Sequence, residues 1–162
     1  MTEFESRRKG VKLTAWIIVI ALVVGIGGGW LLAVLTGGSN SKPSSVYVTT
    51  ANEGSLIADA GNTLLTLKAV GNTVVKVNTS TKEAVPSDAA EFFKAWNDTY
   101  GDEKRDAVVT ATTPDGDVQL VLKVTNATFS DIGYVLQFDV EVVSGPAEVR
   151  GLTDVTFIVD GD

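Results

Sequence analysis

The chain contains neither cysteine nor histidine. No disulfide can support any part of it, and thiol redox chemistry, zinc sites of the usual kind and histidine-based nucleophilic triads are all excluded. Positive charge is also scarce. Thirteen Lys and Arg stand against twenty Asp and Glu, a formal net charge of -7. Beyond the first dozen residues the basic side chains do not cluster, so the patch that nucleic-acid binding requires is missing. What remains is carboxylate, hydroxyl and lysine chemistry, and no spacing of these residues marks a cofactor fingerprint or a metal site. No cofactor is expected.

Against these absences stands one long uncharged run, Leu13 to Leu35 (LTAWIIVIALVVGIGGGWLLAVL). As a helix rising about 1.5 Å per residue it would extend roughly 35 Å, enough to cross a hydrocarbon core of about 30 Å with some tilt. It is far longer than the apolar core of about 7–15 residues in a cleaved signal peptide, and no A-x-A site follows it. The expectation is a single transmembrane helix over residues 13–36. Arg7, Arg8, Lys9 and Lys12 crowd its N-terminal side, whereas Lys42 stands alone beyond it. Lys and Arg are retained on the cytoplasmic side, which places the tail of residues 1–12 inside and the rest outside the cell membrane. Trp16 lies near one end as an interfacial anchor would.

Ala21, Gly25, Gly29 and Ala33 recur every four residues within this run. That spacing aligns them on one helix face, where small side chains let a second backbone approach. The row predicts self-association in the membrane or docking against a membrane protein partner, although glycine is common in transmembrane helices for other reasons. A basic run ending in Lys9-Gly10 before a long apolar helix also resembles the leader of type IV pilin-like subunits. Here no glutamate opens the apolar run, Lys12 follows the would-be cleavage point, and GGSNSKPSS interrupts the chain after the helix.

Residues 37–45 read as a flexible Gly/Ser/Asn linker in which Pro43 stops the helix. From Val46 onward the pattern is β-rich. Strands are expected at Val46–Thr50, Ser55–Ala58, Thr63–Val70 and Thr73–Asn78, with Gly61-Asn62 and Gly71-Asn72 as turns. Thr79–Pro86 reads as a loop, followed by one helix, Ser87–Tyr100, capped by Ser87. Its Ala89, Phe92, Phe93 and Trp96 share a face. They are either an aromatic ligand platform or, as an amphipathic helix beside strands usually requires, core. Further strands are expected at Ala107–Thr113 and Val118–Thr125, joined by the turn Pro114-Asp115-Gly116-Asp117. After an Asn126–Asp131 loop come a long alternating strand, in which Ile132, Tyr134, Leu136, Phe138, Val140 and Val142 point one way, and a last strand through Val155, Phe157 and Val159. Many short strands, one helix and no βαβ rhythm predict a mainly β domain over residues 46–162, an antiparallel β-sandwich or open barrel with one helix, preceded by the single transmembrane helix.

In order, NTLLTLKAV, FFKAW, DGDVQLVLKV, YVLQFDVEVVSG and VTFIVDG carry a resemblance. Residues 62–162 resemble a family of small exported or membrane-anchored β-rich proteins that has no assigned activity. That resemblance implies an exported or anchored β domain and no site residue. Where the family commonly has a Ser-Asp-Arg-Pro-type loop after the second strand, this chain has NTSTKEAVPSD.

Three sequons, at Asn78, Asn97 and Asn126, would accept a glycan on the outer side in a cell with the machinery. Asn78 and Asn126 are the candidates, because Asn97 falls on the expected helix. Three carboxylate pairs, Asp102/Glu103, Asp115/Asp117 and Asp139/Glu141, are the only material for glycoside-type acid/base work, and solvated charge accounts for each of them. The functional expectation is therefore a membrane-anchored extracytoplasmic binding or assembly module without catalytic activity. A pilin-like filament subunit and a carboxylate-based envelope hydrolase are the alternatives.

Overall fold

A computed structural model describes residues 44–161. The basic tail with Arg7, Arg8, Lys9 and Lys12, the run expected as a membrane helix with Ala21, Gly25, Gly29 and Ala33, and most of the expected linker lie outside the described residues. Among the described residues no helix is long and apolar enough to cross a membrane.

The domain is antiparallel throughout. Its elements are β1 (Ser45–Asp59), β2 (Asn62–Val70), β3 (Thr73–Asn78), β4 (Ala84–Asp88), α1 (Ala89–Lys94), α2 (Trp96–Tyr100), β5 (Arg105–Thr113), β6 (Gly116–Ser130), β7 (Val135–Ser144) and β8 (Val149–Asp160). The strands run in the order β2-β7-β6-β5-β8-β1-β3-β4, and β2 also pairs with β1. That last pairing closes β1, β2, β7, β6, β5 and β8 into a six-stranded barrel. The result is mainly β as expected, but a closed ring replaces the sandwich or open barrel.

Closure depends on the length of β1. Ser45–Val48 pairs with β3, Ala51–Asp59 pairs with β2, and β8 runs along the other edge of both halves. What reads in the sequence as two short strands is one continuous strand carrying an irregularity. Ala51 and Leu56 both pack into the barrel core although they are five positions apart. Strict alternation would put them on opposite faces, so one residue is absorbed between them. The break falls at Asn52 and Glu53, both exposed, where Ala69 on β2 takes a φ of 50° opposite Asn52; a separate β1–β8 register shift follows between Gly54 and Leu56.

Strand β4 was expected to be loop. Val77 pairs with Ala84 and Val75 with Pro86, so AVPSD adds a short strand to β3 outside the barrel ring. With the ring closed, β4 carries a free sheet edge of five residues including Pro86, which has no N–H to offer a partner.

The helix expected over Ser87–Tyr100 is two short helices separated at Ala95, and its cap is Asp88 rather than Ser87. The Asp88 Oδ1 accepts from the Glu91 backbone N–H at 2.9 Å. The two helices close one end of the barrel against β6, β3 and β4. Trp96, Phe93, Phe138 and Phe157 are the largest fully buried side chains. Phe138 lies 5.2 Å, centroid to centroid, from both Trp96 and Phe157. The aromatic face of the helix is therefore core, and burying each ring contributes on the order of 1.5–3 kcal/mol.

Candidate functional site

With the interior filled by side chains, the outer face of β1, β8, β5 and β6 is the candidate surface for a site. Register fixes three rows across it. Val75, Val48, Ile158, Val108 and Val121 lie side by side on β3, β1, β8, β5 and β6. The next row is Thr50, Thr156, Thr110 and Gln119, and the third is Glu53, Thr153, Thr112 and Asp117. An apolar band thus passes into two bands of hydroxyls, amide and carboxylate within two strand repeats.

The polar bands surround an open depression of 510 Å³ lined by Thr110, Thr112, Asp117, Gln119, Asp154 and Thr156, with Ala111 and Val118 at its floor. A bulge makes it. Asp154 takes a φ of 49°, and the β5–β8 register shifts between Thr110 and Thr112, so two outward residues of β8, Thr153 and Asp154, occupy the space of one. Thr112 Oγ1 donates to Asp117 Oδ1 at 3.1 Å, and Thr153 Oγ1 donates to the Thr112 carbonyl at 3.3 Å. Chemically this is a hydrogen-bonding surface with two acidic groups at its rim. The sequence reading missed it, because outward threonines on a strand carry no signal until the register brings four strands together.

A second cluster sits where α2 meets the barrel. Arg105, 4% exposed, lies with its guanidinium 4.1 Å from the Tyr100 ring centroid. Its Nε donates to the Asp160 carbonyl at 3.0 Å and its NH1 group to Glu103 Oε2 at 3.3 Å. Tyr47 packs at a tilt against Phe92, ring centroids 4.5 Å apart. Burial, reinforced by the adjacent Tyr47 hydroxyl, pushes the Tyr100 hydroxyl up to about 12. Every contact of Arg105 here ties the α2 end to β5 and β8, which makes it a clamp between elements. In sequence it was hidden inside the charged stretch GDEKRD.

The carboxylate pairs do not converge. Glu103 engages Arg105, whereas Asp115 and Asp117 flank a tight turn in which Thr113 Oγ1 donates to the Gly116 carbonyl at 2.9 Å. Asp139 accepts from Asn126 Nδ2 at 3.0 Å. Glu141 accepts from Lys104 Nζ at 2.8 Å, a bond that holds its carboxyl below the usual value. Asp139 and Glu141 do reach the rim of a second hollow of 350 Å³ with Asn62 and Thr63, each held by its own partner, Asn126 and Lys104. Among the described residues no group of three or more acids is arranged to hold a metal ion.

The sequons differ from one another. Asn97 Oδ1 and Nδ2 are both bonded to the backbone of Ala127. Asn126 is exposed, with a φ of 52°. Asn78 is half-buried, and its Oδ1 accepts from the Ser80 and Thr81 backbone N–H groups, which forms the turn after β3. Ile132, expected on the buried face of its strand, is 88% exposed in the β6–β7 turn; the inward set of β7 begins with Leu136 and Phe138.

Comparison with known proteins finds no family model, no curated protein and no solved structure that matches the chain.

Proposed function

We propose that the chain is a single-pass membrane protein that displays a non-catalytic binding barrel outside the cytoplasm. Residues 13–36 form the anchor, Arg7, Arg8, Lys9 and Lys12 hold the N-terminus inside, and the barrel engages a protein partner of the cell envelope. The observation that carries this reading is the uncharged run of Leu13–Leu35 placed directly ahead of a barrel whose first strand opens at Ser45. A membrane segment so close to a folded domain holds that domain within a few tens of ångströms of the bilayer. The threonine bands and their depression supply a polar docking face. The free edge at β4 is short and interrupted by Pro86, so faces and loops serve better than strand addition.

Intact mass of the protein extracted from its native membrane tests the anchor. The full-length mass is expected. Loss of residues 1–10 would replace this reading with the pilin-like one, and cleavage near residue 37 would mean a free secreted barrel.

A further inference from the structure

The outer valine band has a property that the rest of the outer surface lacks. Val46, Val48, Val75, Val77, Val108 and Ile158 point away from the barrel interior yet are 0–6% exposed, and they form a cluster separate from the barrel core. The side chains next to them in the same outward direction, Thr50, Thr110 and Thr156, are half-buried or exposed, as outward residues of a barrel are expected to be. Among the described residues the one partly buried apolar side chain packed against the cluster is Ala84, on the neighbouring β4. No helix and no second sheet of residues 44–161 crosses β1, β8 and β5 on that side.

We propose that this band is the seat of the chain's own apolar segment, residues 13–35, whenever that segment is outside a bilayer. Chemistry selects it. The band carries no charge and no hydroxyl, and 13–35 is the long uncharged apolar run of the chain. Position selects it as well. The band begins at Val46, two residues after Ser44, and residues 36–43 extended reach about 26–29 Å at 3.3–3.6 Å each, enough for the run to return across the strands. Size agrees. From Val75 to Val108 the band crosses three strand spacings, about 14 Å, which a helix of about 10 residues covers at 1.5 Å per residue. Docking would shield in one contact two apolar surfaces that water disfavours, the run and the band. Insertion of the run into a bilayer would then uncover the band beside the membrane, next to the threonine face.

The inference goes beyond the membrane-anchored reading and is tested apart from it. Because the chain has no cysteine, a V108C substitution paired with a second cysteine at Val19, Val23, Gly27 or Leu31 in turn gives clean thiol pairs. An I158C series repeats the scan in case V108C fails to fold, with protease resistance of the barrel as the folding check. The full chain is made by cell-free translation without membranes, oxidised and run without reductant. A bridge within one chain is expected in at least one pair of each folded series. It should fall at least fivefold when vesicles of phosphatidylcholine and phosphatidylglycerol are present during synthesis. Bridges only between two chains would overturn the proposal in favour of a second copy, and a folded barrel with no bridge in any pair would overturn it outright. A bridge within one chain that persists with vesicles, on protein that does not float with them, would keep the seat and reject the membrane anchor.

Discussion

Asn97 holds Ala127 by both of its backbone groups: Oδ1 accepts from the Ala127 N–H at 2.9 Å, and Nδ2 donates to the Ala127 carbonyl at 2.9 Å. The pair spans α2 and β6 and does what a neighbouring strand would do. The β6–β7 register shifts between Thr125 and Thr128, and Asn126 takes a φ of 52°, so the ladder opens around the buried Ala127. A side-chain amide presents one donor and one acceptor at the spacing of a peptide group, which lets Asn97 satisfy what the bulge leaves open.

Asn97→Ala should therefore cost more than its exposed position on α2 suggests. It strands a buried donor and a buried acceptor, each worth about 1–3 kcal/mol, and a total loss of about 2–4 kcal/mol is expected from the urea midpoint. The comparison is Asn126→Gly, which removes only an exposed hydrogen bond to Asp139 and keeps a residue suited to positive φ; it should stay within about 1 kcal/mol. Equal effects for the two would show that Asn97 does not support the bulge.

Phe93→Ala should be the most damaging single truncation. The ring is 1% exposed and lies 5.1, 6.3, 6.2 and 6.1 Å, centroid to centroid, from Phe92, Trp96, Phe129 and Phe138, so the site cannot collapse without moving other rings. A loss of about 3–5 kcal/mol is expected in denaturant unfolding. Phe92, only partly buried at the edge of the cluster, should lose clearly less on the same change. A larger loss at Phe92 than at Phe93 would mean that α1 presents its other face to the barrel.

That aromatic face was legible in the sequence because spacings of three and four survive any tertiary arrangement. The β4 strand was not, because AVPSD contains a proline and a serine-aspartate pair that read as loop, and only the Val75–Pro86 and Val77–Ala84 pairing makes it a strand. Closure of the barrel was hidden for a related reason. It rests on β1 meeting β2 and β8 at once, and the irregularity near Gly54 that permits this split the strand into two in the pattern. Ile132 was misplaced because alternation was carried one turn too far. The valine band did leave a trace. Val74-Val75, Val108-Val109 and Phe157-Ile158-Val159 are consecutive apolar residues where a strand with one wet face would alternate, and consecutive runs signal burial on both faces.

Alkaline titration should report the burial of the Tyr100 hydroxyl. Its hydroxyl is raised from 10.0 to about 12, so between these values the unfolded chain loses the proton and the folded chain keeps it. The folded state then binds more protons, and stability falls as pH climbs from 10 towards 12, with no contribution below pH 10. Absorbance at the tyrosinate band should show a late step in the parent that is absent in Tyr100→Phe. Loss of no late component on going from the parent to Tyr100→Phe would contradict the burial of the hydroxyl.

Gly145 and Gly61 both need positive φ, 112° and 88°, but differ in space. A Cβ on Gly145 would lie 2.9 Å from the Gln119 carbonyl oxygen and 2.9 Å from Leu120 Cδ2, whereas one on Gly61 would meet nothing within 4 Å. Gly61→Ala should cost about 1–2 kcal/mol for backbone strain alone. Gly145→Ala should cost at least about 1 kcal/mol more, since the close oxygen belongs to the β6 backbone and the overlap forces strand or turn to move. Thermal unfolding of the two variants decides it, and equal shifts would mean that the β7–β8 turn yields freely.

The small-residue row of the apolar run gives the last test. Ala21, Gly25, Gly29 and Ala33 recur at the spacing that brings two membrane helices into backbone contact, and Gly25 and Gly29 sit at its centre. Leucine at both positions would hold a neighbouring helix away while keeping the run fully apolar, so insertion should be unaffected and association lost. Sedimentation of the full-length protein in detergent should show a smaller species for the double variant than for the parent, and a partner captured with the parent should no longer co-purify. Because neither glycine lies in the barrel, its unfolding midpoint should stay unchanged, which separates a loss of helix contact from a loss of fold. Identical size and identical co-purifying partners would show that the row reflects only the general abundance of glycine in membrane helices, and docking would then fall to the outer face of the barrel.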